Sequence, residues 1–177
     1  MDQVVLGGGS AGGNLAGMLV LMSTDQDTAA RFGTVQTLNA GTIKCVVFCL
    51  GLINNEDFSA TSNPFMDWPF LQCGRSAISQ GLLRGNEVAH ETNLIAWVNA
   101  DYPPSSISDG NDSTFTLQAQ ALYDRLDELG AHNRLNLYSR EQEVLFHGFE
   151  TTSASPSATD NRSKAIEFVR QFVALNR

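Results

Sequence analysis

This sequence of 177 residues has little positive charge, few cysteines and no long apolar run. Its 11 lysines and arginines are outnumbered by 19 acidic residues, and the net charge is −8, so we do not expect the basic face that nucleic acids require. No apolar stretch approaches the ~20 residues of a membrane span, and Met1-Asp2-Gln3 lacks a basic leader region. The cysteines lack the paired spacing of zinc ligands or of a disulfide framework, which favours a reducing, cytoplasmic location: Cys45, Cys49 and Cys73.

The most informative feature that is present is an apolar run leading into glycines, Val4-Val5-Leu6-Gly7-Gly8-Gly9-Ser10-Ala11-Gly12. The pattern predicts a short buried strand, a tight turn and then a helix. Within it, Gly8-x-Ser10-x-Gly12 matches the turn G-x-S-x-G, on which a nucleophilic serine is exposed. In that interpretation the N–H of Ala11 points toward the negative oxygen that develops during acyl transfer.

The same glycines also fit a dinucleotide-binding turn, in which Gly7, Gly9 and Gly12 form the pattern G-x-G-x-x-G. A FAD or NAD site of this kind needs a second strand that ends in an acidic residue about 20 positions further on. Residues 23–33 are instead polar and helix-like, and no apolar strand runs into their aspartates. The nucleophilic serine is therefore favoured, with no cofactor and no metal, and dinucleotide binding is the alternative.

A nucleophilic serine needs a base and an acid, and in one common α/β arrangement the chain order is Ser, Asp, His. Residues 105–112 predict a short strand that ends in an acidic turn holding Asp109 and Asp112. Residues 144–150 place His147 in an apolar context beside a glycine, whereas the other two histidines lie in a polar helix and a turn. His147 is therefore the predicted base, and one of the two aspartates is the predicted acid.

Three segments together resemble the hormone-sensitive-lipase-like branch of the α/β-hydrolases, whose members are carboxylesterases and lipases acting on acyl esters. They are Gly-Ser-Ala-Gly-Gly-Asn-Leu-Ala at 9–16, Asp-Gly-Asn-Asp-Ser-Thr at 109–114 and His-Gly-Phe-Glu at 147–150. Their order along the chain is more specific than any one of them. The resemblance implies a serine hydrolase of carboxylic esters.

The resemblance also implies a role for each candidate residue of the site. Ser10 is the nucleophile, His147 the base, and the Ala11 N–H an oxyanion donor. Asp112 is preferred as the triad acid because the family pattern puts the acid at the end of this acidic piece. Asp109 is then a turn former whose side chain bonds nearby backbone N–H groups.

The alternation of elements predicts an α/β fold with a parallel sheet flanked by helices. Apolar or alternating runs predict strands at residues 4–6, 44–50, 105–108 and 134–138. Helical spacing of apolar residues predicts helices at residues 12–22, 28–38, 115–129 and 163–176. A polar loop is predicted at 151–161. We expect a single domain over 1–177, a partial α/β-hydrolase fold that lacks the N-terminal strands.

Residues 51–102 interrupt the strand–helix alternation and are predicted to form a lid-like or packing insertion. They interleave aromatic with polar residues, and Phe65, Trp68 and Phe70 are the predicted lining of an acyl or alcohol pocket. A helical insertion that seals the sheet is the alternative. The two roles are compatible, and we expect packing to be the larger.

The predicted nucleophile strand begins only a few residues after Met1. In the resembled family several strands precede it, and one of their loops carries a His-Gly-Gly-Gly motif with further oxyanion donors. No such motif occurs in this sequence, so we expect the chain alone to hydrolyse esters weakly or not at all. The edge at Val4–Leu6 is expected to pair with a preceding segment or with a second copy of the chain. A non-catalytic remnant is the other alternative.

Overall fold

The computed structural model describes residues 3–39, 41–49, 51–59, 61, 63–79, 81–152 and 154–173. Within these residues the centre of the fold is a parallel sheet of four strands in the order β1-β2-β3-β4, which confirms the predicted fold class. The strands are β1 (Val4–Gly9), β2 (Ile43–Cys49), β3 (Ser105–Ser108) and β4 (Asn133–Asn136). The almost continuous apolar sequence of β2 is typical of a strand inside a parallel sheet.

The register of the strands brings their carboxyl ends to one edge of the sheet. Gly9 of β1 pairs with Cys49 of β2, and Cys49 in turn pairs with Ser108 of β3. Residues that directly follow these strands therefore lie side by side, although they are distant along the chain. Ligands of open α/β sheets bind at this edge.

Helices connect the strands and cover the sheet. The longer helices are α1 (Ala11–Thr24), α3 (Pro64–Gly74), α6 (Thr116–Glu128) and α8 (Pro156–Phe172), and α3 continues into a π-helical turn at Arg75–Ser79. The shorter ones are α2 (Gln26–Arg31), α4 (Glu87–Glu91), α5 (Leu94–Trp97) and α7 (Phe149–Thr152). In the described part of the chain, every helix falls short of the length or apolar character that a bilayer crossing demands.

The main core lies between the sheet and helices α1, α5 and α6. The strands contribute Val46, Phe48 and Ile107, which are fully buried. Apolar side chains at helical spacing pack against them: Met18 and Leu21 of α1, and Leu122 and Leu126 of α6. Burying one such side chain stabilises the fold by ~1.5–3 kcal/mol. The turns that follow β1 and β3 are therefore anchored to a well-packed layer of strands and helices.

The helix predicted at residues 28–38 is wrong in its extent. It is α2, which begins at Gln26 and ends at Arg31. Asp25 caps its start by accepting a hydrogen bond from the Thr28 N–H at 2.7 Å. Gly33 adopts a φ of 65°, a left-handed conformation that stops the helix two residues after its end.

The last helix begins at Pro156 rather than at residue 163, so most of the polar loop predicted at 151–161 is helical. Ser155 caps α8 by accepting a hydrogen bond from the Ala158 N–H at 3.2 Å, and proline is favoured in a first helical turn. The first turns of α8 are polar and lack apolar residues at helical spacing, so the sequence pattern did not predict a helix there. Leu50 and Asn176, the predicted ends of a strand and of this helix, lie outside the described residues.

Residues 51–102 contain three of the helices and pack onto the body of the fold. Two buried amide side chains hold the segment in place. The Gln118 Oε1 accepts a hydrogen bond from the Ile53 N–H at 2.9 Å, and the Asn14 Nδ2 donates to the Thr92 carbonyl at 2.9 Å. These bonds cross from the insertion to α6 and α1, so the insertion is packed against the sheet layer.

Candidate active site

Ser10 lies on the turn between β1 and α1 in a backbone conformation that residues other than glycine rarely adopt. Its φ is 56° and its ψ is −132°. Such strain costs roughly 1–3 kcal/mol and concentrates at functional sites. The turn is tight, because a Cβ on Gly8 would collide with the Gly12 carbonyl. Ala11 begins α1, so its N–H has no acceptor within the helix and can face an anion.

His147 lies beside Ser10, and Gly51 fills the space between them. A Cβ at residue 51 would lie 2.9 Å from the Ser10 Cα and 3.1 Å from the His147 Nε2. The rings of Phe70 and Phe115 pack edge-on against the imidazole, each with its centroid 5.9 Å away. The structure thus brings together the predicted nucleophile and the predicted base, and only a glycine fits between the two.

The aspartate beside His147 is Asp109, whereas Asp112, which the sequence analysis prefers as the acid, lies against a different partner. The Asp109 Oδ1 lies 4.0 Å from the His147 Nδ1, and the Asp109 side chain is fully buried. Asp112 instead forms an ion pair of 2.6 Å with Arg140 and accepts a hydrogen bond from the Ser113 Oγ at 2.8 Å. Its carboxylate is therefore directed toward Arg140 and not toward the imidazole.

The path of the chain after β3 explains this difference. Asp109 directly follows the last residue of the strand, so it lies at the carboxyl edge where Ser10 also lies. The N–H groups of Asn111 and Asp112 then both donate to the Leu145 carbonyl, at 2.8 and 3.1 Å. This pairing commits the backbone of Asp112 to the loop that precedes His147. The position of Asp109 directly after the predicted strand at 105–108 places it at this edge, but by itself it does not exclude Asp112, three residues further on.

The electrostatics of the site follow from its burial. Burial raises the pKa of Asp109 to about 8; the Gly110 N–H lowers this pKa, and the Glu150 carboxyl raises it further. Burial also lowers the pKa of His147. Among the described residues, neither ring nitrogen of His147 has a hydrogen-bond partner. The surroundings therefore favour a neutral Asp109 and a neutral His147 near pH 7.

An apolar cavity of about 410 Å³ opens beside Ser10. Phe70 lines it, as predicted from the sequence. Phe65 and Trp68 do not, because they lie on the outer face of α3 and are 90% and 67% exposed. Sequence analysis missed the remaining apolar lining, which comes from three separate parts of the insertion and from α1: Leu15, Leu52, Phe58, Cys73, Ala77 and Ile78.

Asn111 is a further residue that sequence analysis missed. Its Nδ2 donates to the carbonyl oxygens of Tyr138 and Glu143, at 3.1 and 2.9 Å. Its Oδ1 accepts a hydrogen bond from the Leu145 N–H at 3.0 Å. The amide therefore fixes the loop that leads to His147. No local sequence pattern singles out an asparagine whose three partners lie further along the chain.

The requirements of a dinucleotide site are not met by the elements that follow α1. The side chain of Asp25 caps α2, so it is not available at the end of a strand. The next strand of the sheet is β2, which ends at Cys49 rather than at an acidic residue. A ribose-binding carboxylate is thus missing from the position where the fingerprint requires it, among the residues that the structure describes.

The strand order, the serine turn and the chain order of the site define a partial α/β-hydrolase fold. The chain is similar in structure to Esterase B from Lactobacillus rhamnosis, with a TM-score of 0.68 and 22% identity over 97% of this chain and 53% of that one. It is also similar to carboxyl esterase 2 from the fungus Tuber melanosporum (TM-score 0.67, 17% identity, 96% of this chain and 54% of that one). Est2 from the Planctomycetes species Thermogutta terrifontis has a TM-score of 0.60 and 20% identity, over 98% of this chain and 58% of that one.

The chain therefore spans about half the length of these esterases, and the similarity establishes the fold. Comparison with protein-family models gave no match, and no curated protein matched either.

Proposed function

We propose that this chain carries the catalytic residues of a serine hydrolase that acts on carboxylic esters. One observation carries the proposal. A serine held at positive φ on a strand-to-helix turn lies beside a half-buried histidine, and that histidine lies against a buried aspartate. Ser10, His147 and Asp109 are the proposed nucleophile, base and acid.

In the proposed mechanism the Ser10 Oγ attacks the ester carbonyl and its proton passes to the His147 Nε2. Asp109 stabilises the imidazolium that results, and the Ala11 N–H donates to the oxyanion. His147 then gives the proton to the departing alcohol. A water molecule then attacks the acyl-enzyme as His147 removes its proton, and His147 returns that proton to the Ser10 Oγ as the acyl–serine bond breaks and the acid is released.

The cavity supports an acyl chain as the substrate group that it receives. Its lining is mainly apolar, and its volume of about 410 Å³ has room for a chain of four carbons. Two structural neighbours bear on this choice: Est2 of Thermogutta terrifontis has been seen with butyrate bound, and Esterase B of Lactobacillus rhamnosis with a C4-C4 tributyrin phosphonate. We therefore propose esters of acyl chains near four carbons.

The isolated chain is proposed to be a weak catalyst. Ala11 is the oxyanion donor identified among the described residues, and losing one further donor typically costs ~10²–10³ in rate. We propose that the others come from a segment outside these 177 residues or from a second copy of the chain. β1 is an edge strand of the sheet and is the proposed site of pairing. Size-exclusion chromatography distinguishes the two, since a clean monomer argues against a second copy.

Covalent labelling by a fluorophosphonate tests the proposal without requiring turnover. The Ser10 Oγ should attack phosphorus and expel fluoride, so mass spectrometry should find one phosphonate on the peptide that contains Ser10. S10A should remain unlabelled, and H147A should label at least ~10²-fold more slowly because the base is lost. Labelling that S10A retains, or a rate that H147A leaves unchanged, would overturn the proposed function.

A further inference from the structure

Next to the proposed triad lies a buried polar cluster that the three-residue mechanism does not use. Glu150, in α7, is 1% exposed, and its Oε1 lies 2.9 Å from the Ser108 Oγ. The same Oγ lies 3.2 Å from the Phe48 carbonyl oxygen. It also accepts a hydrogen bond from the Asn161 Nδ2 at 3.1 Å. Ser108 is thus the centre of a network that joins α7, α8 and two strands.

This network joins the segments that carry the proposed acid and base. Ser108 is the last residue of β3 and directly precedes Asp109. Glu150 follows His147 in the same segment, two residues after Gly148. A hydrogen bond between Ser108 and Glu150 therefore couples the position of the carboxyl to the position of the imidazole.

The number of protons in the network decides the ionisation state of Glu150. The Ser108 hydroxyl has one proton, so it cannot donate both to the Phe48 carbonyl and to Glu150. Both contacts become hydrogen bonds if Glu150 is protonated and donates to the Oγ, while the Oγ donates to Phe48. An ionised Glu150 would break one of them. It would also leave a charged group whose Oε2 is buried and unpartnered among the described residues.

We propose that Glu150 is a positioning residue: a neutral acid that donates to Ser108 and thereby holds Asp109 and His147 in place relative to each other. The proposal relies on the proposed function only for the roles of Asp109 and His147. The protonated state of Glu150 stands on the hydrogen-bond geometry by itself.

The surroundings of Glu150 agree with a neutral acid, since burial raises its pKa to about 7. Burial and the nearby Glu150 carboxyl also raise the pKa of Cys49, to about 11, so this thiol stays neutral near pH 7. Arg162 of α8 donates to the main-chain oxygen of Glu150 at 2.8 Å. The titratable and charged groups that face Glu150 come from β2, from the segments after β3 and β4 and from α8: Cys49, Asp109, Tyr138 and Arg162.

The dependence of thermal stability on pH tests the proposal in the full chain. A neutral Glu150 in the folded state binds a proton that the unfolded chain releases near pH 4.5, so wild-type stability falls as the pH rises through the folded pKa. Glu150→Gln keeps an N–H donor for Ser108 and cannot ionise. We therefore expect the Tm of E150Q relative to wild type to rise by roughly 5 °C between pH 5 and pH 8.

The matched control is Glu167→Gln, which replaces a carboxyl group by the same amide at an exposed position of α8. The Tm of E167Q relative to wild type should not change over this range. If the Tm difference between E150Q and wild type is also independent of pH, the proposal is overturned, because Glu150 would then be ionised like an exposed glutamate. The Tm comparison does not use phosphonate labelling, so it still tests the protonation state of Glu150 if the proposed function proves wrong.

A second measurement covers the case in which E150Q does not fold. In wild-type protein at pH 6, the ¹³C shift of the Glu150 carboxyl should be that of a protonated acid, and a carboxylate shift would overturn the proposal.

The positioning role adds one more expectation for the folded variants. Glu150→Ala should slow phosphonate labelling of Ser10, and E150Q should restore the rate at pH 6. Equal rates for the two would assign Glu150 to stability alone.

Discussion

Replacing Asp109 by asparagine, with Asp112→Asn as the matched control, separates the two candidate acids. Each change removes one carboxylate from the same acidic turn and preserves the shape of the side chain. We expect D109N to lose nearly all Ser10 reactivity and D112N to keep it, because the carboxyl near the imidazole belongs to Asp109. The sequence resemblance alone favours the opposite outcome.

The magnitude follows from the geometry. Above pH 8, where Asp109 is ionised, its negative charge 4.0 Å from the Nδ1 stabilises the imidazolium by about 4 kcal/mol at an effective dielectric constant of 20, so the labelling rates are compared there. That free energy corresponds to about 10³-fold in rate. Asp112 pairs with Arg140, whose side chain is mostly exposed, and such surface pairs contribute ~0–1 kcal/mol to stability. D112N should therefore label within a few-fold of wild type.

The assay is the second-order rate of fluorophosphonate labelling, measured alongside thermal unfolding from pH 5 to pH 8. Because burial raises the pKa of Asp109 to about 8, wild type loses stability as the pH rises from the unfolded value toward 8. D109N lacks this ionisation. Its Tm relative to wild type should therefore increase with pH. The same unfolding curves show whether D109N is folded, so a loss of labelling can be distinguished from a loss of folding.

Two results would refute the reasoning. If D112N loses reactivity as strongly as D109N while both remain folded, the acid cannot be assigned from the distance to His147. If D109N labels at the wild-type rate, a carboxylate beside the imidazole has no part in activating the serine. Loss in D109N alone is the outcome that the geometry predicts.

Three further changes test the site and its supports. Gly51→Ala should slow labelling by about 10²-fold, because the new Cβ would separate Ser10 from His147; an unchanged rate would contradict their close approach. Asn111→Ala should lower the free energy of unfolding by about 1–3 kcal/mol, measured by urea denaturation, since three hydrogen bonds are lost. Phe70→Ala should shift preference toward longer p-nitrophenyl esters, and the exposed Phe65→Ala should not; equal preferences would remove Phe70 from the pocket.

Much of the fold could be predicted because the signals are local. The apolar run before Gly7 and the glycines around Ser10 specify a strand, a turn and a helix within a few residues. The apolar run of β2 predicts an interior strand, and β1 pairs with it in parallel. The helix bounds were predicted wrongly where a capping side chain sets the start of a helix. Ser155, for example, caps a helix that begins in a polar segment predicted to be a loop.

The candidate site could be predicted only in part. Ser10 and His147 carry local signals, and the structure brings them together across Gly51. The cavity has no such signal, because its walls come from separate parts of the insertion and from α1. Phe65 and Phe70 both lie on α3, and only the direction in which the helix packs decides that Phe70 lines the cavity.

By itself the sequence determined the parallel sheet, the strained serine turn and the chain order of the three polar groups, because backbone sterics and apolar periodicity act over short distances. Only the tertiary structure decided which aspartate approaches His147. Asp109 and Asp112 have the same chemistry and lie in the same turn. The choice between them depends on hydrogen bonds from that turn to Leu145, and a contact between segments so distant along the chain leaves no local pattern.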